Sequence, residues 1–208
     1  MNFDRIVQTD NKLTGTNTKK YLMFHHTGIQ DYDDSVRVLS EGNVSCHYVN
    51  ADDGRIAKIG EHDDVLWHAG QGVVDGVLRN VNYDAIGIEI CSGDGKYFTD
   101  AQREAVYELA RYIIKKEGIK KENVVRHADF SGYHGKWDVG PNFYAPLTWE
   151  EYVETLYEEE SKLPFLLNRL SQLTRATQRV AGNESEGDVE NELNVAYTAI
   201  SEAKNLIK

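Results

Sequence analysis

Tyr21-Leu22-Met23-Phe24-His25-His26-Thr27-Gly28 sets four apolar residues directly before two histidines and a glycine. The run reads as a buried strand that ends where the imidazoles begin. A strand end is a place where ligands gather, so fold and function are first legible in the same eight residues.

Working outward, Ser45-Cys-His-Tyr-Val-Asn50 and Arg55-Ile-Ala-Lys-Ile59 flank Asp52-Asp53-Gly54, and an Asp-Gly pair between two such runs predicts a β-hairpin. Ala85-Ile-Gly-Ile-Glu-Ile-Cys91 is a further strand. The spacing from Glu104 to Lys116 predicts a helix stopped by Gly118, and Val124-Val125-Arg126 is a short strand running into His127. Thr148-Trp-Glu-Glu151 has the form of a capping box that opens a helix to about residue 160. The expected fold is α/β, a mixed central β-sheet flanked by helices.

A second unit is expected after it. Pro164 follows Glu158-Glu-Glu160, which places the boundary between residues 1–161 and 162–208. In the latter, Leu166, Leu170, Leu173, Thr177 and Val180, then Val189, Leu193, Ala196, Ile200, Ala203 and Ile207, follow the narrow apolar seam of a coiled coil. Gly182 to Gly187 turns the chain, and Asp188 caps the second helix. This predicts a small C-terminal helical hairpin. Its seam needs a partner surface, on the first unit, on a copy of itself or on a partner.

Composition excludes several classes. The chain has 208 residues, 40% hydrophobic and 27% charged, enough for one core with an appendage. The net charge of −11 falls wholly in residues 1–161, because 162–208 carry six side chains of each sign. Binding by neutralising phosphates needs the opposite sign, so nucleic acid is not an expected partner. No apolar run reaches about 18 residues, and Met1 to Asp10 has neither a basic opening nor an apolar core. Membrane insertion and a signal peptide are therefore not expected, and the location at synthesis is expected to be cytoplasmic. Cys46 and Cys91 form no CxxC pair and read as two buried free thiols.

Five histidines, His25, His26, His47, His68 and His127, stand at expected strand ends or in glycine-rich loops. Neutral imidazole is the commonest zinc ligand, and catalytic zinc takes three protein ligands. The segment from Arg126 to Pro141 supplies a candidate third ligand in Asp138, with Lys136 beside it; Cys46 and Cys91 are the other candidates.

Taken in order, these strings resemble a known family. They are the strand ending in His25-His26-Thr27, Ser45 to Asn50 with Asp53-Gly54-Arg55-Ile56, and Trp67-His-Ala-Gly70. Asn82-Tyr-Asp-Ala-Ile-Gly-Ile-Glu89, His127-Ala-Asp129 and Lys136-Trp-Asp138 before Gly140-Pro141 complete the set. Over residues 20–150 the chain is similar to the zinc-dependent N-acetylmuramoyl-L-alanine amidases shared by phage endolysins, peptidoglycan-recycling amidases and animal peptidoglycan recognition proteins. The resemblance implies one Zn2+ held by His25, His127 and Asp138, with Glu89 as general base and Lys136 at the oxyanion. It implies His68 and Trp67 in the cleft wall, and with them His47 on the substrate side. His26 points to the opposite strand face from His25.

Two departures stand out. Asp138-Val139-Gly140-Pro141 replaces the family's Asp-Pro-Gly, and the loop from His127 to Asp138 is extended and contains His134. Cys46 occupies a position where some relatives carry Tyr, which shifts the chemistry to Glu89. The implied activity is hydrolysis of the lactyl-L-Ala amide of bacterial peptidoglycan. The expected setting is a phage or prophage endolysin released by a holin. A recycling amidase acting on soluble muropeptides and a non-catalytic peptidoglycan receptor are the alternatives.

Overall fold

The computed structural model describes residues 1–95, 97–130 and 135–158. The hairpin expected over 162–208 and its oligomer contact lie outside the described residues, as does His134. Met1–Tyr157 form one compact unit.

Its elements run in the order β1 (Arg5–Ile6), β2 (Lys12–Leu13), β3 (Tyr21–His26), α1 (Tyr32–Glu41), β4 (Tyr48–Asn50), β5 (Ile56–Lys58) and β6 (Val65–Leu66). β7 (Gln71–Val74), β8 (Val77–Asn80), β9 (Ala85–Ile90), α2 (Asp100–Glu117), β10 (Val124–Arg126), α3 (His127–Phe130), α4 (Pro141–Tyr144) and α5 (Trp149–Leu156) follow. Six strands form the central sheet in the order β1-β5-β4-β9-β3-β10. Only the β4–β5 hairpin is antiparallel within it, so the sheet is mixed as the sequence predicts.

Alternation along the two central strands divides the core. Leu22, Phe24, Ile86, Ile88 and Ile90 are fully buried on one face. There Phe24 meets the rings of Phe143, Trp149 and Tyr152 from α4 and α5 at 5.4 to 6.2 Å between centroids. Burying a side chain of this size contributes about 1.5–3 kcal/mol. The other face carries Tyr21, Met23 and His25 on β3, opposite Ala85, Gly87 and Glu89 on β9. Polar residues therefore enter the sheet near the carboxyl ends of β3 and β9, where helices and loops rather than strands must close over them.

Two helix boundaries differ from expectation. α2 begins four residues before Glu104, because Thr99 and Gln102 form a reciprocal capping box. α5 does open with the Thr148–Glu151 box but stops at Leu156, where Tyr157 takes the C-cap. α1, which sequence periodicity did not single out, is started by Asp31 accepting from the Asp34 N–H and buries Tyr32, Val36 and Leu39. Among the described residues no helix is long and apolar enough to cross a membrane.

Candidate metal and catalytic site

His25 is the penultimate residue of β3, and His127 begins α3 directly after β10, the strand paired with β3. Asp138 lies in the loop before α4, and its carbonyl accepts from the Ala128 N–H at 2.7 Å, which ties that loop to His127. His25 Nδ1 is 3.0 Å from His127 Nδ1, and Asp138 Oδ2 is 3.1 Å from the latter and 3.5 Å from the former. A tetrahedral zinc site with bonds of about 2.0–2.1 Å separates its ligand atoms by about 3.3 Å, so this triangle has the right size.

The hydrogen bonds around the triangle fix its chemistry. His127 Nε2 is 3.2 Å from the Ala69 carbonyl and donates to it. His68 Nε2 donates to the Ala85 carbonyl at 3.2 Å, which leaves His68 Nδ1 to accept from His25 Nε2 at 3.0 Å. Both histidines are thereby set with bare Nδ1 lone pairs facing the Asp138 carboxylate. Burial, then the neighbouring His127, lowers the His25 pKa to about 4, so it does not fill the gap with a proton of its own at neutral pH. Three electron-pair donors converge, and a cation is what such a set accommodates.

Glu89 is paired in register with His25 across parallel strands, on the same sheet face. It is buried, its Oε2 has no partner, and burial followed by the charge of Asp138 pushes its pKa up to about 8. It lines a cleft of about 360 Å³ together with His25, His68, His127, Lys136 and Asp138. Trp67, 39% exposed, and exposed Lys136 stand at the mouth.

Other residues of the sequence reading take different places. His47 is fully buried and does not line the cleft: its Nδ1 accepts from the Gly87 N–H at 3.1 Å and its Nε2 donates to the Asp64 carbonyl at 3.2 Å. Its position just before β4 points it into the sheet interior, so it supports β9 instead of meeting a substrate. Cys46 and Cys91 are free, buried thiols outside the ligand triangle, and burial raises both pKa values. Gly87 is required beneath the site, since a Cβ there would lie 2.6 Å from His68 Nδ1 and 2.8 Å from Cys46 Sγ.

Asn82 is a residue whose role the sequence reading did not assign. Fully buried, its Oδ1 accepts from three successive N–H groups, of His68, Ala69 and Gly70, at 3.1, 2.7 and 3.0 Å. It thus shapes the loop that presents the His68 ring to His25 and the Ala69 carbonyl to His127. The signal for it was its place in the string from Asn82 to Glu89, but the bonds span more than ten residues and only the fold reveals them.

The profile of a family described as N-acetylmuramoyl-L-alanine amidase matches residues 15–141, a span that includes His25, Glu89, His127 and Asp138. The chain belongs to the N-acetylmuramoyl-L-alanine amidase family. Among curated members of this amidase family, it is 36% identical over 140 residues to the N-acetylmuramoyl-L-alanine amidase AmiD of Escherichia coli (strain K12), covering 60% of this chain and 50% of that protein. It is 34% identical over 114 residues to the 1,6-anhydro-N-acetylmuramyl-L-alanine amidase AmpD of Haemophilus influenzae, covering 54% and 59%. The chain thus spans about half the length of the curated amidases it matches. A structure of AmiD from E. coli with the substrate anhydro-N-acetylmuramic acid-L-Ala-D-gamma-Glu-L-Lys superposes with a TM-score of 0.57 at 32% identity, over 68% of this chain and 58% of that one. PlyL shares the amidase fold, with a TM-score of 0.60 at 21% identity over 77% and 99% of the two chains.

Proposed function

We propose that the protein is a zinc-dependent N-acetylmuramoyl-L-alanine amidase that hydrolyses the amide between the lactyl group of muramic acid and L-alanine. The observation that carries this reading is the convergence of His25 Nδ1, His127 Nδ1 and Asp138 Oδ2 in one cleft with the buried Glu89 carboxyl, whose Oε2 has no hydrogen-bond partner. Those three residues would hold the ion. The chemistry a bound zinc supplies is polarisation of the amide carbonyl and a lowered pKa, near about 7, for water.

Glu89, whose carboxyl a cation held beside it would keep ionised, takes a proton from the attacking water and returns it to the departing alanine nitrogen. The water oxygen ends on the lactyl carboxyl, and the stem peptide leaves with a free amine. Lys136 faces the negative charge that develops on the carbonyl oxygen. His68 and Asn82 hold the ligands still, and Trp67 borders the substrate. A receptor without catalysis has no use for a ligand set that shares its cleft with a buried carboxyl.

Two substrate sizes are compatible with this chemistry. An endolysin acts on intact wall, the setting the sequence suggests, whereas the curated relatives named for 1,6-anhydro-N-acetylmuramyl-L-alanine favour soluble anhydromuramyl peptides. We assign catalysis to residues 1–161 and place wall binding or self-association in 162–208.

The test is digestion of Gram-positive sacculi and of a soluble anhydromuramyl peptide, with products read by mass spectrometry. New L-alanine amines without new reducing sugars, lost on chelation and restored by zinc, support the amidase. Cleavage confined to the soluble peptide removes the endolysin setting, and binding without cleavage of either overturns the activity. A chain ending at residue 161 should keep hydrolysis of the soluble peptide.

A further inference from the structure

Trp137 sits between Lys136 and Asp138 and is 54% exposed, on the cleft that holds the ligand triangle. An indole left in solvent is not there for the core. Nor is it loose. The His26 ring lies against it, 4.8 Å between centroids at 52°. Buried Gly95, at φ +64°, fits underneath because it lacks a side chain: a Cβ there would lie 2.7 Å from Trp137 Cη2 and 2.6 Å from His26 Nε2. Gly140 approaches the indole from its own loop, where an added Cβ would sit 3.5 Å from Cε3 and Cζ3. The surroundings hold the ring in one place and leave part of it open, which limits the ordering entropy a ligand must overcome.

The cleft lining is mixed in chemistry. Val38, Leu39 and Val44 contribute branched aliphatic groups suited to small methyl-bearing fragments. Trp137 offers a broad flat aromatic surface, suited to the C–H face of a pyranose ring. Within the proposed reaction, the substrate carries a sugar on one side of the scissile amide and a peptide on the other.

We propose that Trp137, positioned by His26 and Gly95, is the platform on which the muramyl sugar ring packs, so that it sets the enzyme's requirement for a sugar beside the lactyl-alanine bond. This rests on the amidase reading and adds a residue to its substrate recognition.

The test compares two substrates of equal peptide sequence, an N-acetylmuramoyl-L-alanyl peptide and a D-lactyl-L-alanyl peptide that lacks the pyranose. Trp137→Ala should lose roughly tenfold in kcat/KM on the muramyl peptide, carried by KM, and stay within about twofold of the parent on the sugar-free one. Trp137→Phe should recover most of the loss. The sugar-free substrate and the zinc content report on folding and on the neighbouring Asp138 in the same samples. Equal losses on both substrates, or no loss on either, overturn the platform while the parent's activity leaves the amidase reading intact. A parent that cleaves neither substrate overturns both.

Discussion

His25 and Glu89 are register partners in adjacent parallel strands, so a single strand pairing delivers an imidazole and a carboxyl to the same sheet face. Neither depends on loop geometry for its placement. The third and fourth parts of the site, His127 and Asp138, are added by β10 and by one backbone hydrogen bond between Ala128 and Asp138. Rigid elements thus set the Glu89 carboxyl, and the loops are pinned to them.

Glu89→Gln keeps the size and hydrogen-bonding shape of the side chain but cannot take a proton. It should bind zinc as the parent does and lose about 100-fold or more in turnover. Parallel zinc analysis and amine-release kinetics check this, and parental turnover would remove Glu89 as the base.

The same residue gives a pH signature in the metal-free protein. Its carboxyl rises from an ordinary 4.5 to about 8 on folding, so the folded state binds the proton more tightly. The associated stability is fully present below about pH 4.5 and is lost as pH rises through about 8, on the order of a few kcal/mol in total. Urea denaturation of parent and Glu89→Gln across this window should show the parent losing stability relative to the variant as pH rises. A pH-independent difference would contradict a buried carboxyl with a raised pKa.

Asn82→Ala removes one oxygen that serves three N–H groups. The expected cost is about 2–3 kcal/mol of stability, with zinc affinity lowered about 10–100-fold through the loosened Ala69 carbonyl and His68 ring. Chemical denaturation and competition against a chromogenic chelator measure the two effects separately.

Gly87→Ala inserts a methyl into space held by His68 Nδ1 and Cys46 Sγ. Overpacking of this kind costs about 1–3 kcal/mol. Because the displaced ring is the one bonded to His25, zinc affinity should fall as well, and Cys46→Ala combined with it should recover part of the stability.

Much of this was legible in the chain. The apolar run into His25, the Asp53-Gly54 turn, the alternation from Ala85 to Ile90 and the Thr148 capping box each follow from local chemistry. The strand alternation alone placed Glu89 opposite Ile88 and Ile90. Residues whose meaning lies in distant contacts were not legible. His47 looks like a site histidine until the Gly87 N–H and Asp64 carbonyl claim both its nitrogens. Asn82 carries no assigned role until its oxygen meets the loop at His68. Strands of two residues, such as β1 and β2, carry no period at all, and α5 ends at Leu156 before the Glu-rich stretch that seemed to continue it.

The central claim is that His25, His127 and Asp138 together hold one zinc ion, and native mass spectrometry of the zinc-loaded protein tests it most directly. The account predicts one zinc per parent chain, and its loss at equal free zinc in His25→Ala, His127→Ala and Asp138→Ala, each still folded by circular dichroism. A full complement of zinc in the folded His127→Ala or Asp138→Ala protein would contradict it.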